Sequence, residues 1–342
     1  MKKITLVVMF SAAMLAIIAA PAQSFGAPLD RAALIKLADD YFSALVAHNP
    51  KGVPLANNVR IVEQVKRIQP GEGLWKTTTS GPTDFKIVVP DTVAQQVGGI
   101  VILGVSGQPA FLGFRLKVEN DNITEAEHII VDINNPNTVT PARPTFAMEI
   151  PYEYRDSRGR LIWIAKSYYD ALDWNNGSLA PFASDCERHE NGMRSAPNGG
   201  PSLTMNFFPG AADAKPKSDA KPKANAKPKA GPGFAPSLLG LQDCAFQINT
   251  GAFQYVDIID NRRVFAADEL TGLAIGFSHF RHAMKDRKFK IVNVPGREES
   301  DMSSQEPFDL PAVHLYKIWG GQIHEIEALG FATGYNSPTG WE

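Results

Sequence analysis

Two stretches of the chain carry hydrophobic residues at spacings of three and four. Leu34, Leu37, Ala38, Tyr41, Phe42 and Leu45 form one stripe, and Leu161, Ile164, Ala165, Tyr168, Tyr169 and Leu172 form the other. That period gives an α-helix a single apolar face. Asp30 stands where the first helix needs an N-cap. Asn49-Pro50 and Asn176-Gly177 supply turn chemistry after the two helices. Beyond each helix the pattern becomes strand-like, rich in Val, Ile, Leu and Phe. The segments are 85–89, 99–105 and 110–118, then 253–259, 273–280 and 313–319. Gly320-Gly321 reads as a hairpin turn between the last two strands, and Asp121-Asn122 holds the same place earlier.

These elements repeat. Tyr41-Phe42-Ser43-Ala44-Leu45 returns as Tyr168-Tyr169-Asp170-Ala171-Leu172. In the same frame, Pro54-Leu55-Ala56 aligns with Pro181-Phe182-Ala183, and Glu63 with Glu190. Further on, Ile123-Thr124-Glu125-Ala126-Glu127 aligns with Ile323-His324-Glu325-Ile326-Glu327, preceded by Lys117 and Lys317. The conserved order of landmarks indicates a tandem duplication, with units at 28–140 and 158–342. A helix followed by antiparallel strands is an α+β unit, whose sheet buries one face on its own helix.

The ends and the composition add context. Lys2 and Lys3, the apolar run to Ala20 and the small residues Ala20-Pro21-Ala22 predict an export signal at 1–22, with Ala27 a second cleavage point. The mature protein is therefore expected in the periplasm or secreted, without a transmembrane segment. A net charge of −2 argues against nucleic-acid binding. Cys186 and Cys244 make either one disulfide or two buried thiols. Residues 209–235 repeat Ala-Lys-Pro-Lys and predict a disordered insertion. Its lysines suit weak contact with anionic envelope polymers, or simple solvation.

The doubled helix motif and the hairpin Lys317-Ile318-Trp319-Gly320-Gly321-Gln322-Ile323 resemble the nuclear-transport-factor-2-like, or SnoaL-like, superfamily. The mature chain also resembles an uncharacterised secreted two-repeat family of bacteria and fungi. The stretches concerned are Gly71-Glu72-Gly73-Leu74-Trp75, Ser167-Tyr168-Tyr169-Asp170-Ala171-Leu172, Asp185-Cys186-Glu187-Arg188-His189-Glu190-Asn191-Gly192 and Pro338-Thr339-Gly340-Trp341. The superfamily resemblance implies two cone-shaped units, each a curved sheet around helices. It implies either an enzyme acting on a small organic molecule or a binding module. Two fused units suit a monomer, and a dimer stays open.

Candidate chemistry follows from residue type. Glu190 is the expected general base, because its counterpart Glu63 recurs in the other unit and burial in a cone would raise its pKa. Arg188 would orient it or stabilise an oxyanion. His279 suits proton transfer, and Tyr168 could polarise a carbonyl. Asp185, Asn191, His282 and His314 are expected around the substrate. Glu72, Trp75 and Arg115 are first-unit alternatives, while Glu125/Glu127 and Glu325/Glu327 read as the polar face of a strand. Serine-hydrolase, phosphate-loop and zinc-peptidase motifs do not occur, and no metal site is expected. The expectation is a cofactor-independent lyase or isomerase, with a non-catalytic ligand-binding or envelope-associated protein as the alternative.

Overall fold

The computed structural model describes residues 27–133, 140–197 and 243–342. The expected signal peptide and the lysine-rich insertion lie outside the described residues.

The first unit opens with α1 (Arg31–Val46), followed by β1 (Leu55–Glu63), β2 (Lys66–Ile68) and the short α2 (Leu74–Thr77). Then come β3 (Thr78–Ser80), β4 (Lys86–Asp91), β5 (Gln96–Val105), β6 (Gln108–Glu119) and β7 (Asn122–Asp132). The second unit repeats this plan with α3 (Arg158–Asp173), β8 (Phe182–Glu190), β9 (Met193–Ala196) and α4 (Cys244–Asn249). It continues with β10 (Ile258–Asp268), β11 (Leu273–His282), β12 (Lys288–Lys290), β13 (Glu299–Asp301), β14 (Phe308–Trp319), β15 (Gln322–Gly330) and β16 (Thr333–Gly334). Asp30 caps α1 by accepting from the Ala33 amide at 2.8 Å, and Ser157 caps α3.

The protein is thus α+β with two sheet units. One sheet runs β2-β1-β7-β6-β5-β3, with β4 also on β5; the other runs β10-β11-β14-β15-β8-β9, with β16 on β14. Two expectations need correction. The sheets are not wholly antiparallel, since β1 runs parallel to β7 and β8 parallel to β15. Strand β8 escapes a hydrophobic count because its sequence, FASDCERHE, is largely polar, and β1, LANNVRIVE, because Asn57, Asn58 and Arg60 interrupt its apolar residues. The 253–259 segment is not one strand either. Residues before Ile258 form turns, and β10 starts only there.

Alternation along the strands assigns each sheet two buried faces. Leu112, Phe114, Leu116 and Val118 of β6 pack with α1, while Phe111 packs toward the other unit. On β14, Leu310, Ala312, Tyr316 and Ile318 pack with α3, while Val313 and Leu315 face the first unit. The layers are therefore helix, sheet, sheet, helix. At the seam, a Cβ on Gly113 would lie 2.4 Å from Val313 Cγ1.

Ion pairs tie the seam with approximate two-fold symmetry. Arg31 at the start of α1 meets Asp268 at 2.9 Å, and Arg158 at the start of α3 meets Asp91 at 2.7 Å. Such reciprocity is the mark of an isologous contact. The repeated glutamates also lie here, not on a solvent-facing strand as expected. Arg263 holds Glu127 through two bonds of 2.6 and 2.7 Å, and Arg143 binds Glu325 and, at 3.1 Å, Glu327. The first unit covers the strand face that a lone α+β unit would leave to water. Burial pushes the Glu327 carboxyl up to about 7, against the pull of Arg143.

Replacing Gly113 with Ala should destabilise the protein by about 1–3 kcal/mol through overpacking at the seam. Adding Val313→Ala should make the double variant lose less than the two single losses combined, as read by denaturant unfolding.

Candidate functional site

Alternation along β8 sorts its polar residues. Cys186, Arg188 and Glu190 are buried on the side of α3 and α4, whereas Asp185, Glu187 and His189 are more exposed. Glu190 borders a cavity of about 40 Å³ inside the second unit. Tyr168 of α3, Phe280 and His282 of β11, Phe308 and His314 of β14, and Ala328 of β15 border it too. Phe253 and Tyr255, from the turns after α4, complete the wall.

Beneath the cavity lies a buried polar cluster. Arg188 Nε stands 3.1 Å from Glu190 Oε1 and donates to Ser195 Oγ at 3.0 Å. Its Nη2 donates to Gln247 Oε1 on α4, and Gln247 Nε2 donates to the Ser195 carbonyl at 2.7 Å. The guanidinium also lies 5.5 Å from the Phe253 ring centre. A disulfide joins Cys186 to Cys244, whose Cα atoms are 6.0 Å apart. It fastens α4 to β8 two residues from Arg188, so the same strap that closes the chain also steadies the cluster.

Buried polar atoms nearly always find hydrogen-bond partners. Here Glu190 Oε2, Arg188 Nη1, His282 Nδ1 and His314 Nδ1 have none. The free Glu190 oxygen and the two free imidazole nitrogens belong to residues that line a single, otherwise apolar cavity. Burial pushes the Glu190 carboxyl above its ordinary range, and Arg188 only partly pulls it back. Burial also pushes His282 and His314 down to about 3, with the Arg188 charge adding to the effect at His314. Both imidazoles are thus neutral near pH 7. Burial raises the Tyr168 and Tyr255 hydroxyls, so both remain protonated donors.

The expected site residues separate into two groups. Glu190, Tyr168, His282 and His314 meet at the cavity, with Arg188 behind Glu190. His279 does not join them, because it is an odd number of residues from His282 and Phe280 and so points through the opposite face of β11. There its Nε2 lies 3.0 Å from Ser337 Oγ and 3.8 Å from Asp309. Asp185 is exposed and bonds His324 at 2.7 Å. Asn191 exchanges two 3.0 Å bonds with the Gly330 backbone and so secures a turn to β15. Among the first-unit alternatives, Arg115 binds Glu125 in the seam, while Trp75 is core. Tyr255 and Gln247 were hidden, one inside a segment that reads as a strand and the other behind the insertion. Among the described residues, no group of three or more His, Cys, Asp or Glu side chains is placed to hold a metal ion.

The first unit shows the same frame filled. Glu63 Oε2 lies 3.1 Å from His128 Nδ1, and His128 Nε2 lies 3.1 Å from the Tyr41 hydroxyl. Sheet register places His128 opposite Glu63, and Ala328 opposite Glu190. Likewise Phe114 and His314 are equivalent, each facing a glycine, Gly99 or Gly276. Gly73, at φ +57° and ψ −126°, takes a backbone conformation that suits glycine, and its missing Cβ leaves room for the Glu63 carboxylate.

The family description "Domain of unknown function (DUF8021)" matches residues 154–330, just over half of the chain. The chain belongs to the DUF8021 family. No curated protein matches it. The DUF8021 match runs from just before α3 to the end of β15 and contains every residue that lines the cavity.

The neutral imidazoles give this DUF8021 protein an acid-sensitive core. In the unfolded chain they take up protons from about pH 6.5, but in the native state only near pH 3. The unfolded state binds more protons across that window, so stability falls as pH drops through it, by about 1.4 kcal/mol per pH unit for each histidine. Substituting the first-unit residues, His282→Val with His314→Phe, should flatten that slope in urea unfolding at pH 7, 5.5 and 4. An unchanged slope would show that neither imidazole is buried neutral.

Proposed function

We propose that the second unit is a cone-shaped, nuclear-transport-factor-2-like unit whose cavity is the active site of a cofactor-independent lyase or isomerase. The observation that carries this reading is Glu190 Oε2, a carboxylate oxygen without a partner in an apolar cavity, with neutral His282 and His314 beside it. Glu190 takes a proton from carbon next to an electron-withdrawing group. Its raised pKa makes it a stronger base than an exposed carboxylate. Tyr168 donates to the oxygen where negative charge develops. The protonated Glu190 carboxyl then returns the proton, either to a new carbon or to a departing hydroxyl, while the neutral imidazoles of His314 and His282 hydrogen-bond the substrate. Arg188 acts as a positioning residue, since it holds Oε1 of Glu190 and leaves Oε2 toward the substrate. The substrate is a small organic molecule, matched to the size and apolar walls of the cavity.

The protein is proposed to work outside the cytoplasm. The Cys186–Cys244 disulfide supports this, because such bonds persist mainly in oxidising compartments. Among the described residues no helix is long and apolar enough to cross a membrane.

The test is untargeted mass spectrometry of small-molecule mixtures incubated with purified protein. Loss of one water or cleavage of a compound indicates a lyase, and an isobaric product indicates an isomerase. Glu190→Gln should lower the rate at least about 100-fold while leaving the circular dichroism spectrum unchanged. Full activity in that variant removes Glu190 from the mechanism. Retention of a compound without turnover supports a non-catalytic binding protein instead.

A further inference from the structure

The two units hold one frame filled in two ways, and the filled copy indicates what the open one accepts. In the first unit, the His128 ring spans the gap between a carboxylate and a tyrosine hydroxyl. One ring nitrogen faces Glu63 and the other faces Tyr41, each at 3.1 Å. The helix carrying the tyrosine and the strand carrying the glutamate recur without a gap in the second unit, as Tyr168 and Glu190. What differs is the strand beside the glutamate. Opposite Glu190 stands Ala328, where the first unit has His128. Shortening that side chain to a methyl leaves the Tyr168, Glu190 and Ala328 surfaces on a cavity, and leaves Glu190 Oε2 with no partner.

We infer that this cavity binds a small, uncharged, planar azole-type ring, which presents an N–H to Glu190 and a ring nitrogen to the Tyr168 hydroxyl, in the place where the His128 ring sets its two nitrogens against Glu63 and Tyr41 in the first unit. The inference rests on reading the cavity as a ligand site, and it names the ligand's chemistry. Four further observations agree with it. The volume of about 40 Å³ holds roughly three waters, the scale of a five-membered ring. The walls include the stacked ring pairs His282–Phe308 and Phe280–His314, with centroids 4.1 and 5.6 Å apart, an aromatic surround suited to a planar guest. Charge selects a neutral ligand. Arg188 already neutralises Glu190 at 3.1 Å, so a cation gains little, and an anion would meet the carboxylate. His282 and His314, with free Nδ1 atoms, are set to contact substituents on such a ring.

The probe is imidazole itself, titrated into the full-length protein at about pH 8.5, where the ring is neutral. Binding is followed by NMR line broadening and its stoichiometry by equilibrium dialysis. Wild type is expected to show one site per chain. Ala328→His supplies the ring in place and should weaken binding by at least about tenfold. If that variant does not fold, Ala328→Leu fills the same space and should weaken binding equally. His128→Ala should create a second site, between Glu63 and Tyr41, and imidazole should raise its melting temperature. No site in wild type, unchanged binding in a folded Ala328 variant, or no second site in His128→Ala overturns the inference. The readout does not depend on turnover. Imidazole binding with no turnover of any compound leaves this inference standing and removes the proton-transfer reading. Turnover without imidazole binding does the reverse.

Discussion

Sheet-on-sheet packing between the two units governs what every strand residue does. A sheet covered by a helix on one side and by water on the other has one apolar face and one polar face. Here the second face of each sheet meets its counterpart, so Phe111, Ile100 and Ile102 of one unit pack with Phe277, Val313 and Leu315 of the other. Charges caught in that seam need partners, because an unpaired buried carboxylate is costly. Arg263, Arg115 and Arg143 supply them to the repeated glutamates. The symmetric pairs Arg31–Asp268 and Arg158–Asp91 hold the edges of the same contact.

With the outer faces committed to the seam, the cavity of the second unit opens on the face turned toward the helices. There the units diverge through substitutions at matched positions. The first unit has His128, Phe114 and Val105 where the second has Ala328, His314 and His282. The exchange moves the imidazole from the glutamate's neighbour to the opposite wall. In one unit the polar groups satisfy one another. In the other, space opens and Glu190, His282 and His314 keep unpartnered atoms. The two units thus differ at matched positions, one with its polar groups packed together and the other with a cavity.

The open copy needs its own bracing, because a cavity removes contacts. The disulfide, Gln247 and Ser195 together hold Arg188, which in turn holds Glu190. The brace comes from α4 and the strand pair β8–β9, and Arg188 within it lies 5.5 Å from the ring centre of the wall residue Phe253. Stability and site geometry therefore share one set of bonds.

Much of the frame was legible in the chain itself. The helix stripes around Tyr41 and Tyr168, the Asp30 cap and the hairpin at Gly320-Gly321 are local patterns, set by period and turn chemistry within a few residues. The repeat itself was legible too, and it pointed to Glu190 through Glu63. Two things were not. Strand β8 was concealed because its inward residues Arg188 and Glu190 are polar and break the hydrophobic alternation, and β1 because Asn57, Asn58 and Arg60 interrupt its apolar residues. The division of Glu190, Tyr168, His282 and His314 from His279 and Asp185 depends on which face of a paired strand each residue takes. Residue type and spacing along the chain determined the units and their candidate groups. Strand register and the contact between sheets decided which groups share a cavity, because those depend on partners more than a hundred residues away, such as Ala328 opposite Glu190.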